Sequence, residues 1–136
     1  MSKTKFIALM FFATSTFTGC NKTDSDIRDI FLGTYSVTET WTENDKVMSK
    51  PAFSMSVEKA SLNNEMVLLN NFANYGAGTT VEATVSEYIL TIPQQTLPNL
   101  KAIKGTGKSN GPTMTITYTE NYNGISIEIT ATAKKK

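Results

Sequence analysis

Apolar and polar residues alternate along most of the chain after Gly33, and a period of two is typical of half-buried β-strands. In residues 34–42, one face carries Tyr35, Val37, Glu39 and Trp41, and the other face carries serine and threonine. The pattern predicts further strands over residues 52–59, 65–69, 79–85, 87–92, 100–106, 113–119 and 125–133. The strands are short and follow one another closely, so the pattern indicates an all-β domain.

Residues that favour turns separate these segments. They are residues 43–46, Asn63-Asn64, residues 76–78, residues 110–112 and Asn123-Gly124. Asn-Gly is a preferred sequence of the type I′ turn, so we expect the last two strands to form a tight hairpin. Pro93 lacks a backbone N–H and is expected to end its strand. On the N-terminal side, the spacing of Ile27, Ile30 and Phe31 predicts one short helical turn.

About eight short strands, each apolar on one face, fit an antiparallel meander. The meander either closes into a barrel or folds as a β-sandwich, and the alternation is compatible with both. Closure has the advantage that it removes exposed strand edges. The interior of an eight-stranded barrel is just wide enough to be filled by side chains or to hold one small ligand.

The N-terminal residues 1–19 have the parts of a secretory signal peptide. Two lysines are followed by the apolar run 6–12, which is well short of the ~20 apolar residues that a membrane-spanning helix needs. The run leads to Phe17-Thr18-Gly19-Cys20, which resembles the lipobox of bacterial lipoproteins, with phenylalanine in place of the usual leucine. The resemblance implies that the chain is cut before Cys20 and that lipid on Cys20 holds it on a membrane.

The mature chain is then expected to consist of a lipidated tether with the helical turn (residues 20–32), a barrel domain (residues 33–133) and a basic tail (residues 134–136). The whole chain has 13 Lys and Arg against 12 Asp and Glu, and loss of two lysines with the signal peptide changes the net charge from +1 to −1. A chain without a basic surplus is not expected to bind nucleic acid. Cys20 is the only cysteine, so an intrachain disulfide is excluded.

The chain contains no histidine, which excludes histidine-based catalytic triads and the usual zinc-protease motif. Its one cysteine is assigned to lipid, and carboxylates alone are poor ligands for zinc. The sequence has no glycine-rich phosphate-binding motif. We therefore expect neither an enzyme nor a metal or cofactor site, and a carboxylate-based hydrolase is left as a minor alternative.

Gly33-Thr34-Tyr35 resembles the Gly-x-Trp start of lipocalins and of the wider calycin group, with tyrosine in place of tryptophan. Together with Trp41, Asn71-Phe72 and the segment 92–95 (Ile-Pro-Gln-Gln), it makes the body of the chain similar to small lipocalin-like lipoproteins of Bacteroidota. The resemblance implies a calycin-like antiparallel barrel anchored at the outer membrane, on its periplasmic or its cell-surface face. It implies no settled activity. Lipocalins often pack a late-strand arginine on the tryptophan, and the only arginine here is Arg28, so that feature does not carry over.

Many of the aromatic residues are predicted to lie on the inner face of the strands. Its candidate ligand-binding residues are Tyr35, Glu39, Trp41, Phe53, Tyr88 and Tyr118. In one interpretation they line a pocket for a small apolar or saccharide ligand, which Glu39 orients. In the other, the aromatic residues fill the core and the barrel docks on another envelope protein. Glu39 is then a carboxylate that either lies near the barrel mouth or is hydrogen-bonded to tyrosine or threonine neighbours.

Overall fold

A computed structural model describes residues 25–136 as one sheet with two short 3₁₀ turns. The strands are β1 (Gly33–Glu43), β2 (Lys46–Ser49), β3 (Phe53–Lys59), β4 (Met66–Asn70), β5 (Thr80–Ser86), β6 (Ile89–Thr96), β7 (Ala102–Ser109), β8 (Thr113–Tyr122) and β9 (Ile125–Lys135). The 3₁₀ turns are Asp29–Phe31 and Phe72–Asn74. The first of them lies where the sequence predicts a helical turn. The predicted signal peptide and the lipidated Cys20 lie outside the described residues.

The sheet closes on itself as a barrel. Each strand from β3 to β8 pairs antiparallel with the next strand along the chain, and β1 pairs with both β3 and β9. The closing pair runs from Tyr35↔Lys135 to Thr40↔Thr130. Because β2 only extends the hairpin of β1, eight strands form the barrel. The predicted barrel is confirmed, and the β-sandwich alternative is wrong.

Strand β2 is missing from the sequence prediction, which places only a turn in that region. It pairs with the outer half of β1, at Thr40↔Ser49, and β3 takes over at Val37↔Phe53. Between these pairs β1 advances by three residues and its partner by four, so the partner carries a bulge near Pro51. The β1–β2 hairpin therefore extends past the last residues that join β1 to β9.

Two tight hairpins mark one end of the barrel, which we call the hairpin end. Asn44 and Asp45 join β1 to β2, and Asn123 and Gly124 join β8 to β9. All four residues have positive φ, as type I′ turns require, so the predicted Asn-Gly hairpin is confirmed. The opposite N-terminal end holds the first 3₁₀ turn and the β3–β4 and β5–β6 connections. The described chain enters the barrel at that end.

Strand β6 runs further than predicted. It continues through Pro93 to Thr96, so the expectation that Pro93 ends the strand is wrong. The register between β6 and β7 shifts between Ile92 and Gln95, and Pro93 lies in this irregularity. A proline is tolerated in a strand at such a place because no ladder hydrogen bond is required of it.

The residues assigned to a basic tail also belong to the barrel. Strand β9 continues to Lys135, whose Nζ donates a 3.1 Å hydrogen bond to the backbone oxygen of Ile30. The backbone N–H of Lys136 donates to the backbone oxygen of Thr34 at 3.0 Å. The lysine run thus extends the pairing of β9 with β1, while its three side chains are exposed.

Large side chains fill the interior. The largest that are fully buried include Tyr35, Tyr118, Phe31, Phe72, Met55 and Leu69. Such filling is the expected outcome for a barrel of eight strands, whose inner diameter is close to the space that facing side chains occupy. Within residues 25–136, no helix has the length and apolar character that a bilayer-spanning segment requires.

Candidate functional site

The alternation of apolar and polar residues in β1, β3 and β8 correctly predicts that most of the candidate residues face the barrel interior. Tyr35, Glu39, Phe53 and Tyr118 are buried on the inner face, and Glu39 is only 1% exposed. Trp41 lies one inner-face position further along β1, at the hairpin end, where it is half-buried against the core. Five of the six candidate residues therefore face inward along three strands.

Tyr88 is the exception, and its predicted inner-face position is wrong. It lies in the turn between β5 and β6, and its side chain is 60% exposed. The neighbouring Glu87 has a φ of 55°, so the chain reverses direction at this point. Strand β6 starts two residues later than predicted, at Ile89, and only from Leu90 onward does the alternation face the core.

Glu39 makes polar contacts inside the barrel. The phenol of Tyr118 donates a hydrogen bond of 2.9 Å to Glu39 Oε1, and Lys50 Nζ lies 3.1 Å from Oε2. The lysine contact is an ion pair without hydrogen-bond alignment, since Lys50 directs a hydrogen bond of 3.2 Å to the backbone oxygen of Ala73. Burial, together with the negative charge of Glu39, raises the pKa of Tyr118 far above its ordinary value. Tyr118 therefore stays protonated and remains a donor.

A second ion pair lies beside the first. Lys101 Nζ is 2.6 Å from Glu120 Oε1 and donates to the phenol oxygen of Tyr75 at 2.9 Å. The phenol of Tyr75 donates to the other carboxylate oxygen of Glu120. Burial, with the hydrogen bond to Glu120, raises the pKa of Tyr75 to about 12. Lys50 and Lys101 lie 5.1 and 4.8 Å from the centroid of the Tyr75 ring, which connects the two ion pairs.

We call this arrangement the buried polar cluster. Its members are Glu39, Lys50, Tyr75, Lys101, Tyr118 and Glu120. Each carboxylate contacts one lysine and one tyrosine, so the charges balance within the cluster. Two strands supply the carboxylates and three connections at the hairpin end supply the lysines and Tyr75. The cluster therefore ties these connections to the barrel. Removing a lysine leaves a buried carboxylate without its counter-ion, and removing a tyrosine leaves a carboxylate oxygen without its donor.

Four members of the cluster are absent from the sequence prediction. Lys50, Tyr75 and Lys101 lie in connections, where no hydrophobic period identifies an inner face. Glu120 is different, because it lies on β8 two residues beyond Tyr118 and is 8% exposed. Extending the alternation of that strand by one step would have identified it.

The second 3₁₀ turn covers the core above Tyr118. The rings of Phe72 and Tyr118 meet edge to face, with centroids 4.8 Å apart. Asn71 holds the turn in place, since its side-chain nitrogen donates to the backbone oxygen of Ser54 at 2.7 Å and its side-chain oxygen accepts from Gly76 N at 2.8 Å. The turn closes the barrel interior at the hairpin end.

The N-terminal end is closed by Arg28. Its guanidinium donates to the backbone oxygens of Ala60, Asn63 and Met66 at 3.1, 2.9 and 3.3 Å, and it pairs with Asp26 at 2.6 Å. Side-chain and backbone hydrogen bonds from Arg28 hold the pKa of Asp26 well below its ordinary value. The barrel interior is thus covered by polar networks at both ends.

An open seam lies beside the buried polar cluster. The pairing of β1 with β9 stops at Thr40↔Thr130, although β1 continues to Glu43 and β9 begins as early as Ile125. The two strand ends border a cleft of about 380 Å³. Residues that line it are Thr40, Trp41, Thr42, Val47, Ile127 and Glu128. We call this cleft, between residues 41–43 and 125–129, the open seam.

Within residues 25–136, no group of three or more histidine, cysteine, aspartate or glutamate side chains is arranged to hold a metal ion. The two carboxylates of the buried polar cluster are engaged by lysine and tyrosine. The arrangement can therefore hold the three connections against the barrel.

The chain is similar in structure to a protein of Bacteroides fragilis NCTC 9343 that is described provisionally as an outer membrane protein. The two are 22% identical, with a TM-score of 0.51, and the match covers 82% of this chain and 53% of that protein. This chain thus spans about half the length of that protein. The likeness supports the fold. No protein-family model and no curated protein matches the sequence, so the lipocalin-like resemblance stays a prediction.

Proposed function

We propose that the protein is a lipid-anchored, non-enzymatic protein of the outer membrane whose filled barrel docks on another envelope protein through its hairpin end. The filled interior carries the proposal. Tyr35, Phe72 and Tyr118 fill space inside the barrel and are at most 1% exposed. A barrel that is filled in this way offers its outer surface and its ends, rather than its interior, for recognition.

Exposed apolar side chains make the hairpin end a suitable docking surface. Val47, Met48, Tyr122 and Ile125 lie on the two hairpins and are between 40% and 77% exposed. Aromatic residues and methionine are enriched at protein interfaces, and exposed apolar groups that lie together mark such surfaces. The hairpin end is therefore suited to a protein partner. Apolar side chains are also exposed at the N-terminal end, namely those of Ile27, Leu62, Tyr88 and Ile89. The choice between the two ends thus rests on the expected anchor.

The expected anchor is consistent with this orientation. The chain enters the barrel at the N-terminal end, and the lipobox-like segment ending at Cys20 precedes that point. Lipid on Cys20 holds the N-terminal end towards the membrane and leaves the hairpin end facing away from it. The lipobox resemblance and the structural likeness to a Bacteroides protein described as an outer membrane protein both support the proposed address.

The anchor is tested by expressing the full chain and a Cys20→Ser variant in a bacterium that processes lipoproteins. The wild-type chain is expected to incorporate labelled fatty acid and to fractionate with the outer membrane, and the variant is expected to do neither. Equal fatty-acid incorporation by both chains would contradict lipidation at Cys20.

The docking surface is tested by photo-crosslinking in the living cell, with a photoreactive residue at Tyr122 in one variant and at Leu62 in another. Leu62 is the matched control, since it is 99% exposed but lies in the β3–β4 connection at the N-terminal end. A discrete crosslinked protein from position 122 and none from position 62 is expected. The same product from both positions, or none from either, would contradict docking through the hairpin end.

A small apolar or saccharide ligand remains the second candidate, and one observation favours it. Trp41 is the only tryptophan, and it lines a cleft of a size that can admit a small ligand. Native mass spectrometry of residues 21–136, purified gently from cells, separates the two candidates. An apo mass is expected for a docking module, whereas a stoichiometric extra mass that disappears in Trp41→Ala would favour the ligand.

A further inference from the structure

The open seam brings two unpaired strand edges face to face. Beyond Thr40↔Thr130, residues 41–43 of β1 pair only with β2, and residues 125–129 of β9 pair only with β8. In an antiparallel strand every second residue directs its N–H and C=O to the same neighbour. Both borders of the seam therefore present backbone donors and acceptors that no strand of residues 25–136 uses.

The β9 border has little of the usual protection of an exposed edge. Proteins blunt such edges with charged residues, above all lysine, and with proline, bulges or a covering loop, and here Glu128 is the single charged residue. Residues 125–129 read Ile-Ser-Ile-Glu-Ile, with β-branched residues at alternate positions and no proline or lysine. Residues of this kind favour strand formation. The edge is therefore suited to pairing.

We infer that the open seam binds an extended peptide segment of a partner protein, which pairs as an additional β-strand between β1 and β9. This inference rests on the proposed function, because it identifies the kind of segment through which the partner docks. Strand addition to a free edge gains affinity from main-chain hydrogen bonds and specificity from alternate side chains. Here both borders are free, so one inserted strand would complete the sheet at the hairpin end.

The side chains around the seam specify the partner segment. Trp41 and Ile127 are half-buried on the inner side, so alternate residues of the segment must be apolar. Glu128 is the charged residue that lines the cleft, on the opposite side of β9 from Ile127. An outward-facing lysine or arginine of the segment would pair with it. The unpaired stretches of three and five residues fit a segment of about five residues, at about 3.3 Å per residue.

The test starts from a phage library of random linear peptides panned against residues 21–136. Enriched peptides are expected to alternate apolar residues with polar ones, to carry a basic residue, and to change the fluorescence of Trp41, the only tryptophan. Their binding is expected to slow hydrogen exchange at the amides of residues 125–129 but not at Leu62, which lies at the other end. No enrichment, or enriched peptides that leave these amides unprotected, would overturn the inference.

Peptides with N-methyl groups are the matched control, since they keep every side chain and lose backbone donors. A strand inserted between two edges directs alternate N–H groups to β1 and to β9. N-methylation of either alternate set is therefore expected to weaken binding by about tenfold or more. If N-methylation of only one alternate set weakens binding, the peptide pairs with a single strand edge, and insertion between β1 and β9 is overturned. Protection of residues 125–129 in a dimer without peptide would assign the seam to a second copy and equally overturn it.

The outcome for the seam is separable from that for the proposed function. Crosslinking from position 122 reports whether a protein docks at the hairpin end, whatever its conformation. A crosslinked partner combined with failure of the peptide experiment would keep the docking function and reject strand addition. Absence of a crosslinked partner, even where peptides bind the seam, would reject the docking function itself.

Discussion

The phenol of Tyr118 donates a hydrogen bond of 2.9 Å to Oε1 of Glu39, although 79 positions separate the two residues along the chain. They lie on β8 and β1, which are not neighbours, because β9 lies between them. The bond therefore links two strands from inside the barrel. It fixes the buried carboxylate of β1 between a phenol and the Lys50 ammonium.

Tyr118→Phe should lower the stability of the domain, because it removes the donor to a buried carboxylate oxygen and leaves that oxygen unsatisfied. A loss of about 1–3 kcal/mol in the free energy of unfolding is expected. Tyr122→Phe on the same strand is the control, since Tyr122 is 45% exposed, and it should change stability by less than about 0.5 kcal/mol. Urea unfolding of residues 21–136 measures both. Equal losses would contradict a special role for the Tyr118 hydroxyl.

Lys50→Met should destabilise the domain, and a second substitution, Glu39→Gln, should recover part of the loss. The single variant leaves the carboxylate of Glu39 buried without its counter-ion, whereas the double variant removes that charge. Lys50 is 30% exposed, so solvent already screens part of the interaction. The measurement is a double-mutant cycle by urea unfolding, with a favourable coupling of at least about 0.5 kcal/mol expected. Additive losses would indicate that the ion pair contributes nothing.

The alternation of residues predicts the barrel well because the period of two records directly which side chains face inward. Glu39 illustrates this, since its position between Val37 and Trp41 predicts burial, and the structure buries it. The alternation does not show which residues contact the Glu39 carboxylate. Lys50 lies opposite Glu39 in the β1–β2 hairpin, where its backbone N–H donates to the backbone oxygen of Glu39 at 3.1 Å. The sequence prediction missed this contact because it placed only a turn in that region.

Strand ends are the other point at which the sequence is ambiguous. Tyr88 continues the alternation of Leu90 and Ile92, yet a turn residue with positive φ before it places its side chain in solvent. Alternation alone does not distinguish the last residue of a turn from the first of a strand. The open seam is likewise hidden in the sequence, because Ile125, Ile127 and Ile129 alternate without a break, whether or not a neighbouring strand pairs with them.

Gly105 allows β7 to approach Tyr118 closely, and Gly105→Ala should disturb the buried polar cluster. The two residues are directly opposite each other, and a methyl group at Gly105 would come within 2.5 Å of the backbone oxygen of Thr117 and of Tyr118 Cβ. A loss of about 1–3 kcal/mol is expected, as for other overpacked sites. Gly107→Ala is the control, because its nearest contact is Ile116 Cγ1 at 3.1 Å. A larger loss of stability in Gly107→Ala than in Gly105→Ala would contradict this explanation.

Arg28→Lys should loosen the N-terminal end even though it keeps the positive charge. The guanidinium serves three backbone oxygens and Asp26 at once, whereas an ammonium has fewer donors and a different geometry. We expect a loss of stability and faster hydrogen exchange in the β3–β4 connection. Lys59→Arg, at the partly exposed lysine that pairs with Asp26 and Asp29, should have little effect. An unchanged exchange rate in Arg28→Lys would contradict the proposed closure.

Stability should fall as the pH rises from 10 to 12, and Tyr35 should carry a measurable share of the decline. Burial raises the pKa of Tyr35 to about 12, against about 10 in the unfolded chain. Below pH 10 the hydroxyl is protonated in both states, so its stabilisation is fully present. Between these values only the unfolded chain loses the proton, which favours unfolding, and above about pH 12 the contribution is gone.

The two pKa values correspond to a loss of about 3 kcal/mol for this residue, and Tyr118 acts in the same direction because its pKa is also raised. Tyr35→Phe should therefore be less stable than wild type at neutral pH, since it loses the 2.8 Å hydrogen bond to the backbone oxygen of Phe31, but it should show a shallower decline in alkali. Phe31→Leu is the control for general destabilisation and should keep the wild-type slope. Urea unfolding at several pH values measures the slopes. A wild-type slope in Tyr35→Phe would show that the phenol titrates in the folded protein as it does in the unfolded chain.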